Sequence, residues 1–205
     1  MLTAARQTFV RRVTPLEWIG STGGQYVDTG VSFRSGRSYT VDFQLTTIPQ
    51  KSNYYSIASS EPVGSTRVMF RVYGGNFCVY GATNSGPTNI AAVDLSRHVW
   101  RIDYAAKKIY FDGTVTSFSW APPAFDRSLT LFANNYGPSN TIIQASKCRI
   151  FRFTATEAAG TTLCDLVPAR KGRTVSVFDR VARRLVSPGG SATLIAGPRG
   201  GSLHA

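Results

Sequence analysis

The stretch that decides the fold covers residues 16–30 and reads Leu16-Glu17-Trp18-Ile19-Gly20-Ser21-Thr22-Gly23-Gly24-Gln25-Tyr26-Val27-Asp28-Thr29-Gly30. Glycines lie on both sides of a short extended run, 25–29, where they supply tight turns. The aromatic and aliphatic side chains of the stretch offer a large apolar area for burial. Asp28 and Thr29 are short polar residues that hydrogen-bond nearby backbone amides at a strand end. The stretch therefore predicts the first strands of a β domain.

Alternation with period two continues outward from this stretch. Apolar residues alternate with polar ones over 39–45 and again over 67–73, which is typical of half-buried strands. Asp112-Gly113 separates two further extended runs, and this dipeptide favours a two-residue hairpin turn. Further strands are predicted at 77–80, 99–104, 129–133, 148–154, 175–178 and 193–196.

The rest of the chain agrees with an all-β fold. Helical periodicity is nearly absent, and Gly, Pro and Asn recur between the extended runs. The hydrophobic fraction of 42% is enough for one continuous core. We predict an all-β, two-sheet antiparallel β-sandwich of the jelly-roll type. The predicted domain spans 16–198, between a basic N-terminal arm, 1–15, and a C-terminal tail, 199–205.

The opening stretch resembles the first motif of concanavalin A-like, laminin-G-like lectin domains, as found in phage structural proteins and gut-bacterial surface proteins. That motif runs roughly Leu-x-Tyr-Ile-x-Ser-Thr-Gly-x-Gln-Tyr-Ile-Asp-Thr-Gly, and Trp18 and Val27 are mild departures from it. Later segments follow in the family's order, among them 97–103, 110–113, 129–134 and 148–153. The resemblance also implies an Asp-x-x-Pro turn at Asp165-Leu166-Val167-Pro168, followed by a closing strand.

The chain is poor in residues that catalyse. It has three glutamates, Glu17, Glu61 and Glu157, and none has another acid two or four residues away. Hydrolysis of a glycosidic bond needs a pair of carboxylates. Of the two histidines, His204 lies in the tail, and His98 starts a strand, where a structural hydrogen bond is expected. We therefore expect no enzyme.

No metal or cofactor is expected either. Calcium is the one ion that the sequence leaves open, with oxygen ligands at Asp126, Asn134 and Asn135, but clustered carboxylates are missing. Three sparse cysteines indicate buried thiols rather than a disulfide framework. Nothing approaches a transmembrane helix, and the N-terminus lacks the apolar core of a signal peptide.

The net charge of +12 attracts polyanions, or acidic faces of other subunits. Nucleic-acid binding is not expected, because no Lys-rich tract or known binding motif is present. For a glycan site the candidates are aromatic and planar polar side chains on strand faces and in loops. Tyr54-Tyr55 lies in one such polar loop. The ligand-binding candidates are Arg67, Arg71, Tyr73, Tyr55, Trp120, Asn134, Asn135 and Tyr136.

Two functions remain open. The first is a non-catalytic glycan- or surface-binding module, expected as the adhesin of a phage tail or capsid, that binds a cell-surface polymer. The second is a structural virion subunit that packs against other subunits without binding sugar. Both place the protein in the virion, assembled in the host cytoplasm, as a homo-oligomer or as part of a larger assembly.

Overall fold

The computed structural model describes residues 13–63, 66–80, 87–120, 127–137, 139, 141–190, 193–201 and 203. These residues form short strands and no helix, and therefore none long and apolar enough to cross a membrane. The strands are β1 Val13–Pro15, β2 Ile19–Gly20, β3 Gln25–Ser32, β4 Arg37–Leu45, β5 Tyr55–Val63, β6 Thr66–Tyr73, β7 Asn76–Tyr80, β8 Thr88–Ala92, β9 Arg97–Asp103, β10 Lys108–Phe111, β11 Thr114–Ser117, β12 Ser128–Leu131, β13 Asn134–Tyr136, β14 Thr141–Ile143, β15 Cys148–Glu157, β16 Thr162–Lys171, β17 Thr174–Asp179, β18 Arg184–Val186, β19 Pro188–Gly190 and β20 Ile195–Ala196.

The strands form two sheets. The first sheet runs in the order β11-β10-β9-β4-β15-β16-β17-β18, with β1, β2 and β20 attached to it. The second runs β19-β3-β12-β5-β6-β7-β8, with β13 and β14 attached. All pairings between these strands are antiparallel except that of β13 with β5. The prediction of an all-β, two-sheet antiparallel β-sandwich is confirmed.

The core lies between the sheets and is rich in aromatic rings. The ring of Trp100, on the first sheet, lies 5.2 Å from that of Phe70 on the second. Phe43 of the first sheet meets Phe77 of the second at 5.6 Å. All four are fully buried, and for Phe43 and Phe70 the alternation in 39–45 and 67–73 predicted it. Edge-to-face pairs of this kind add to the free energy of burial, by about 0.5–1.5 kcal/mol each.

The opening stretch forms its turn and strand with one departure from the prediction. The Gln25 side chain closes the turn, because its Oε1 accepts a hydrogen bond from the Thr22 backbone N–H at 2.9 Å. The strand β3 does not end at Gly30, which was predicted to form a turn. Gly30 lies inside β3 with a φ of 68°, and Asp28 Oδ1 accepts its N–H at 2.9 Å. A glycine takes this left-handed conformation without steric cost, so the strand continues past it.

The prediction of a turn at Asp165-Leu166-Val167-Pro168 is wrong. These residues lie within the continuous strand β16, and Pro168 pairs with Val177 of β17. On its other side β16 pairs with β15 as far as Leu166 and with β1 from Ala169 onward. Pro168 therefore sits where the neighbouring strand changes, and its missing N–H interrupts no ladder.

Two other expectations concern the chain ends and the hairpin. Of the predicted N-terminal arm, the described residues Val13–Pro15 form β1, while 1–12 lie outside the described residues. The domain limits stay a prediction. The hairpin at Asp112-Gly113 is confirmed, with φ values of 49° and 85°. Asp112 Oδ1 also accepts the Val99 N–H at 2.8 Å, which ties the turn to β9.

Candidate functional site

The outer face of the second sheet, turned away from the core, carries the most distinctive polar chemistry. In β6 the side chains of Val68, Phe70 and Val72 point into the core. Because side chains alternate along a strand, those of Arg67, Arg71 and Tyr73 lie on this outer face. The neighbouring β7 likewise places Phe77 and Val79 in the core. Its other face carries Cys78 and Tyr80, which form a small separate cluster with Tyr73.

Arg71 lies between two tyrosine rings on this face. Its guanidinium carbon lies 3.9 Å from the ring centroid of Tyr54 and 5.2 Å from that of Tyr80. The side chain is buried, and desolvation lowers the pKa of Arg71. Desolvation raises the pKa of the adjacent Cys78 thiol to about 11, so this thiol stays protonated at neutral pH. Stacking between guanidinium and ring is the arrangement that cation–π attraction favours.

A buried carboxylate links the second arginine to an amide. Glu61 Oε2 accepts a hydrogen bond from Asn134 Nδ2 at 3.0 Å, and its Oε1 lies 3.4 Å from Arg67 Nη1. The Arg67 guanidinium also lies over Tyr80, at 4.6 Å. Within the described part of the chain, Arg67 Nε and Asn134 Oδ1 are buried without a hydrogen-bond partner. We call Glu61, Arg67, Arg71, Tyr80 and Asn134 the outer-face cluster.

A pair of stacked tyrosines borders the outer-face cluster. The rings of Tyr54 and Tyr73 lie parallel, with an interplanar angle of 8° and centroids 4.6 Å apart. The side-chain hydrogen bond that Tyr73 shares with Tyr54 is the main reason that the pKa of Tyr73 is raised. Tyr54 is 38% exposed, so one of these rings is accessible from solvent. Tyr136, which lies opposite Glu61 in the β13–β5 register, is 39% exposed.

The structure brings five of the predicted ligand-binding residues onto this face, namely Arg67, Arg71, Tyr73, Asn134 and Tyr136. The remaining three lie elsewhere. Tyr55 packs against the core, so Tyr54 is the one of this pair that reaches the face. Trp120 also packs on the core, with its ring 3.9 Å from that of Phe118. Asn135 follows Asn134 along β13, so its side chain points to the opposite side.

Two members of the cluster were missed by sequence reasoning. Tyr80 lies two residues after Cys78 in β7, so the alternation of side chains over 77–80 could have placed it on the outer face. Glu61 has no local signal, since its partner Asn134 lies 73 residues away in the sequence.

On the first sheet, two arginines form bidentate pairs with carboxylates. Arg97 makes two hydrogen bonds to Asp42, at 2.8 and 2.6 Å, and Arg152 makes two to Asp165. A bidentate pair of this kind uses the fork of the guanidinium. These arginines are therefore engaged within the fold.

His98 is structural, as expected from the sequence. Its Nδ1 lies 2.6 Å from Asp112 Oδ2, and its Nε2 lies 3.0 Å from Asp94 Oδ1. The imidazole is buried and packs on the ring of Phe111, at 4.8 Å. The second histidine, His204, lies outside the described residues.

The calcium ligands considered from the sequence are described only in part. Asp126 lies outside the described residues, and the Asn134 amide donates a hydrogen bond to Glu61. In the part of the chain that the structure describes, no three His, Cys, Asp or Glu side chains are grouped as metal ligands. The three cysteines are buried and free.

The outer-face cluster can do two things chemically. Among the described residues, two guanidinium groups lie close to one carboxylate, and guanidinium groups bind anionic groups through their fork of N–H donors. The exposed tyrosine rings offer flat apolar surface with a hydroxyl at one end. The combination is suited to a ligand that has both an anionic substituent and a flat, partly apolar ring face.

Comparison with known proteins gives a likeness of fold. No family model matches the chain, and no curated protein matches it. Among solved structures, the chain is similar to the alginate lyase AlgAT5 from polysaccharide lyase family 7, with 13% identity and a TM-score of 0.42. The match covers 64% of this chain and 62% of that one, so it spans less than two thirds of the lyase.

One prediction is corrected by this comparison. The chain was expected not to be an enzyme, but the similar sandwich belongs to a lyase. The expectation is therefore withdrawn. It rested on the shortage of carboxylate pairs, which hydrolysis of a glycosidic bond requires but other reaction classes do not.

Proposed function

We propose that the outer face of the second sheet binds a saccharide chain that carries acidic groups. The observation that carries this proposal is the grouping of Arg67 and Arg71 around Tyr80, beside the stacked pair Tyr54–Tyr73. The guanidinium groups attract carboxylate or sulfate substituents, and the tyrosine rings pack against the apolar faces of sugar rings.

The cluster also contains two buried polar atoms, Asn134 Oδ1 and Arg67 Nε, that have no hydrogen-bond partner among the described residues. Buried polar atoms normally find a partner, so such atoms favour a polar ligand or ordered water. The side chain of Arg67 is 23% exposed, which places its guanidinium within reach of a ligand at the surface.

The test is binding to a panel of polysaccharides: one rich in uronic acid, one sulfated and one neutral. We expect the acidic polymers to bind and the neutral one to bind at least tenfold more weakly. Removing one charge-assisted contact, in Arg67→Gln, should weaken binding about tenfold or more, because such hydrogen bonds are worth about 1.5–3 kcal/mol. Tyr73→Ala should weaken it as well, through loss of the stacked ring.

The matched control is Arg101→Gln. Arg101 lies on the first sheet, with its guanidinium over a tyrosine ring at 4.9 Å and its charge balanced by Asp103. The Arg101→Gln variant should leave saccharide binding unchanged. Polymer length followed in the same mixtures reports whether binding is accompanied by cleavage. The proposal fails if none of the acidic polymers binds, or if Arg67→Gln and Tyr73→Ala bind as well as the unaltered chain.

For the biological setting we propose a phage particle, in which the sandwich presents this face to a cell-surface polymer. Support comes from the resemblance of residues 16–30 to motifs of phage structural proteins. Copurification of the chain with intact particles, detected by an antibody against it, is the measurement that checks the setting. A chain recovered only in the particle-free fraction would contradict it.

The second candidate function, a structural virion subunit, is favoured by a different observation. Strand β11 lies at the end of the first sheet, and Thr114, Val115 and Ser117 in it are exposed. An exposed strand edge is a ready surface for another subunit. Particles that assemble normally with the Arg67→Gln variant but not with an altered β11 would favour this function.

A further inference from the structure

Strand β11 is an edge strand with unusual exposure. Within the described residues it pairs with β10 and with no other strand. Three of its four residues are exposed, and Val115 is 51% exposed. An edge strand of this kind leaves a row of backbone N–H and C=O groups available for pairing.

The register of the hairpin determines which backbone groups point outward. The turn Asp112-Gly113 has two residues, so Phe111 and Thr114 form the first hydrogen-bonded pair. From there, hydrogen-bonded and non-hydrogen-bonded residue pairs alternate along the hairpin. The Phe118 N–H donates to the Lys107 C=O at 3.1 Å, as this alternation requires. The N–H and C=O groups of Val115 and Ser117 therefore point away from β10, toward the open edge.

Strand β11 itself carries no charged side chain that would oppose pairing with a copy of itself. Residues 113–120 carry no charge and no proline. Natural edge strands are usually blunted by lysine, proline or a bulge. The other sheet ends differ, since β18 begins with the exposed Arg184, β19 begins with Pro188, and β8 is mostly half-buried.

We propose that two copies of this chain pair through β11, antiparallel, about a two-fold axis at Thr116. This axis places Val115 of one copy opposite Ser117 of the other, so the outward N–H and C=O groups of each meet their complements. Thr116 then faces its own counterpart, and threonine pairs across strands are favourable. A closed two-fold contact of this kind joins the first sheets of both copies into one.

A charge in the strand is the first test. Val115→Lys places two lysines near the axis, and we expect the dimer seen by analytical ultracentrifugation to dissociate at least tenfold more readily. Val181→Lys is the matched control, because Val181 is 46% exposed and lies in the turn between β17 and β18. Ser117→Pro removes an outward N–H while the inward bonds of the hairpin stay, and it should weaken the dimer likewise.

Crosslinking tests the position of the axis. In Thr116→Cys the two thiols face each other across a non-hydrogen-bonded pair, where the Cβ atoms are close enough for a disulfide. We expect a covalent dimer under mild oxidation. Thr114→Cys should crosslink much more slowly, because Thr114 lies opposite Phe118 in this pairing. The native cysteines are buried and give little background.

The proposal is overturned if the unaltered chain is monomeric at the highest concentration measured, or if Val115→Lys and Ser117→Pro leave its mass unchanged. It is also overturned if Thr116→Cys crosslinks no faster than Thr114→Cys. Saccharide binding is measured separately and does not enter these results.

Discussion

Replacing Glu61 by alanine removes the acceptor that holds two side chains of the outer-face cluster. Glu61 accepts from Asn134 Nδ2 at 3.0 Å and lies 3.4 Å from Arg67 Nη1. Asn134 is fully buried, and Glu61 is 5% exposed, so water does not easily replace the lost carboxylate. The amide of Asn134 would then be buried without this hydrogen-bond partner. The folded variant would therefore bear the full free-energy cost of desolvating that amide.

The magnitude follows from these two contacts. A buried hydrogen bond to a charged group contributes about 1.5–3 kcal/mol. The pair with Arg67 is long and partly exposed, so it adds only about 0.5 kcal/mol. We expect Glu61→Ala to lower the free energy of unfolding by about 2–3.5 kcal/mol. Glu61→Gln keeps an acceptor for Asn134 and should cost about half as much.

The assay is unfolding in urea, followed by tryptophan fluorescence and by circular dichroism. The control is Glu157→Ala, because Glu157 also pairs with an arginine, Arg37, at 3.0 Å, but its side chain is 37% exposed. It should cost about 1 kcal/mol or less. The reasoning is refuted if Glu61→Ala unfolds within about 0.5 kcal/mol of the unaltered chain, or if both alanine variants lose equal stability.

Three further predictions concern buried or hydrogen-bonded titratable groups. His98→Phe keeps the ring packing but deletes both contacts to carboxylates, and should cost about 1–3 kcal/mol in urea unfolding. The Ser96 N–H, which donates to Asp94, is the main reason that the pKa of Asp94 is lowered. Its stabilising contribution is therefore full above the unfolded pKa of about 3.9 and is lost as the pH falls further, so Asp94→Asn should flatten the loss of stability in acid. Burial raises the pKa of Cys78 to about 11 and that of Cys148 to about 12, so thiol reagents at about pH 8 should label neither until the chain unfolds. Rapid labelling of the folded chain would contradict this last prediction.

Much of the fold could be predicted from local patterns. The apolar positions of β4 and β6 are buried as their period-two alternation indicated, because alternate side chains of a strand point to opposite faces. Asp112-Gly113 forms its hairpin because a two-residue turn of type I′ needs positive φ at both positions, which Asp and Gly tolerate. The family resemblance was misleading at Pro168, where a change of neighbouring strand lets a proline sit inside β16.

The candidate site could be predicted only in part. Arg67, Arg71 and Tyr73 follow from the alternation of β6, because their own strand places them on one face. Tyr55 was misplaced, since the chain enters β5 at this residue, whose ring turns to the core while Tyr54 stacks on Tyr73. Such a choice depends on the direction in which the strand leaves its loop.

The sequence by itself determined the class of fold, the hairpin and the outward face of β6, because periodicity and turn chemistry act between residues close together in the chain. Only the tertiary structure decided that Glu61 meets Asn134, that Tyr54 covers Arg71, and that β11 is the end strand of the first sheet among the described strands. These contacts depend on strand order and register, which join residues many positions apart. A site made of such contacts therefore appears only when both sheets are complete.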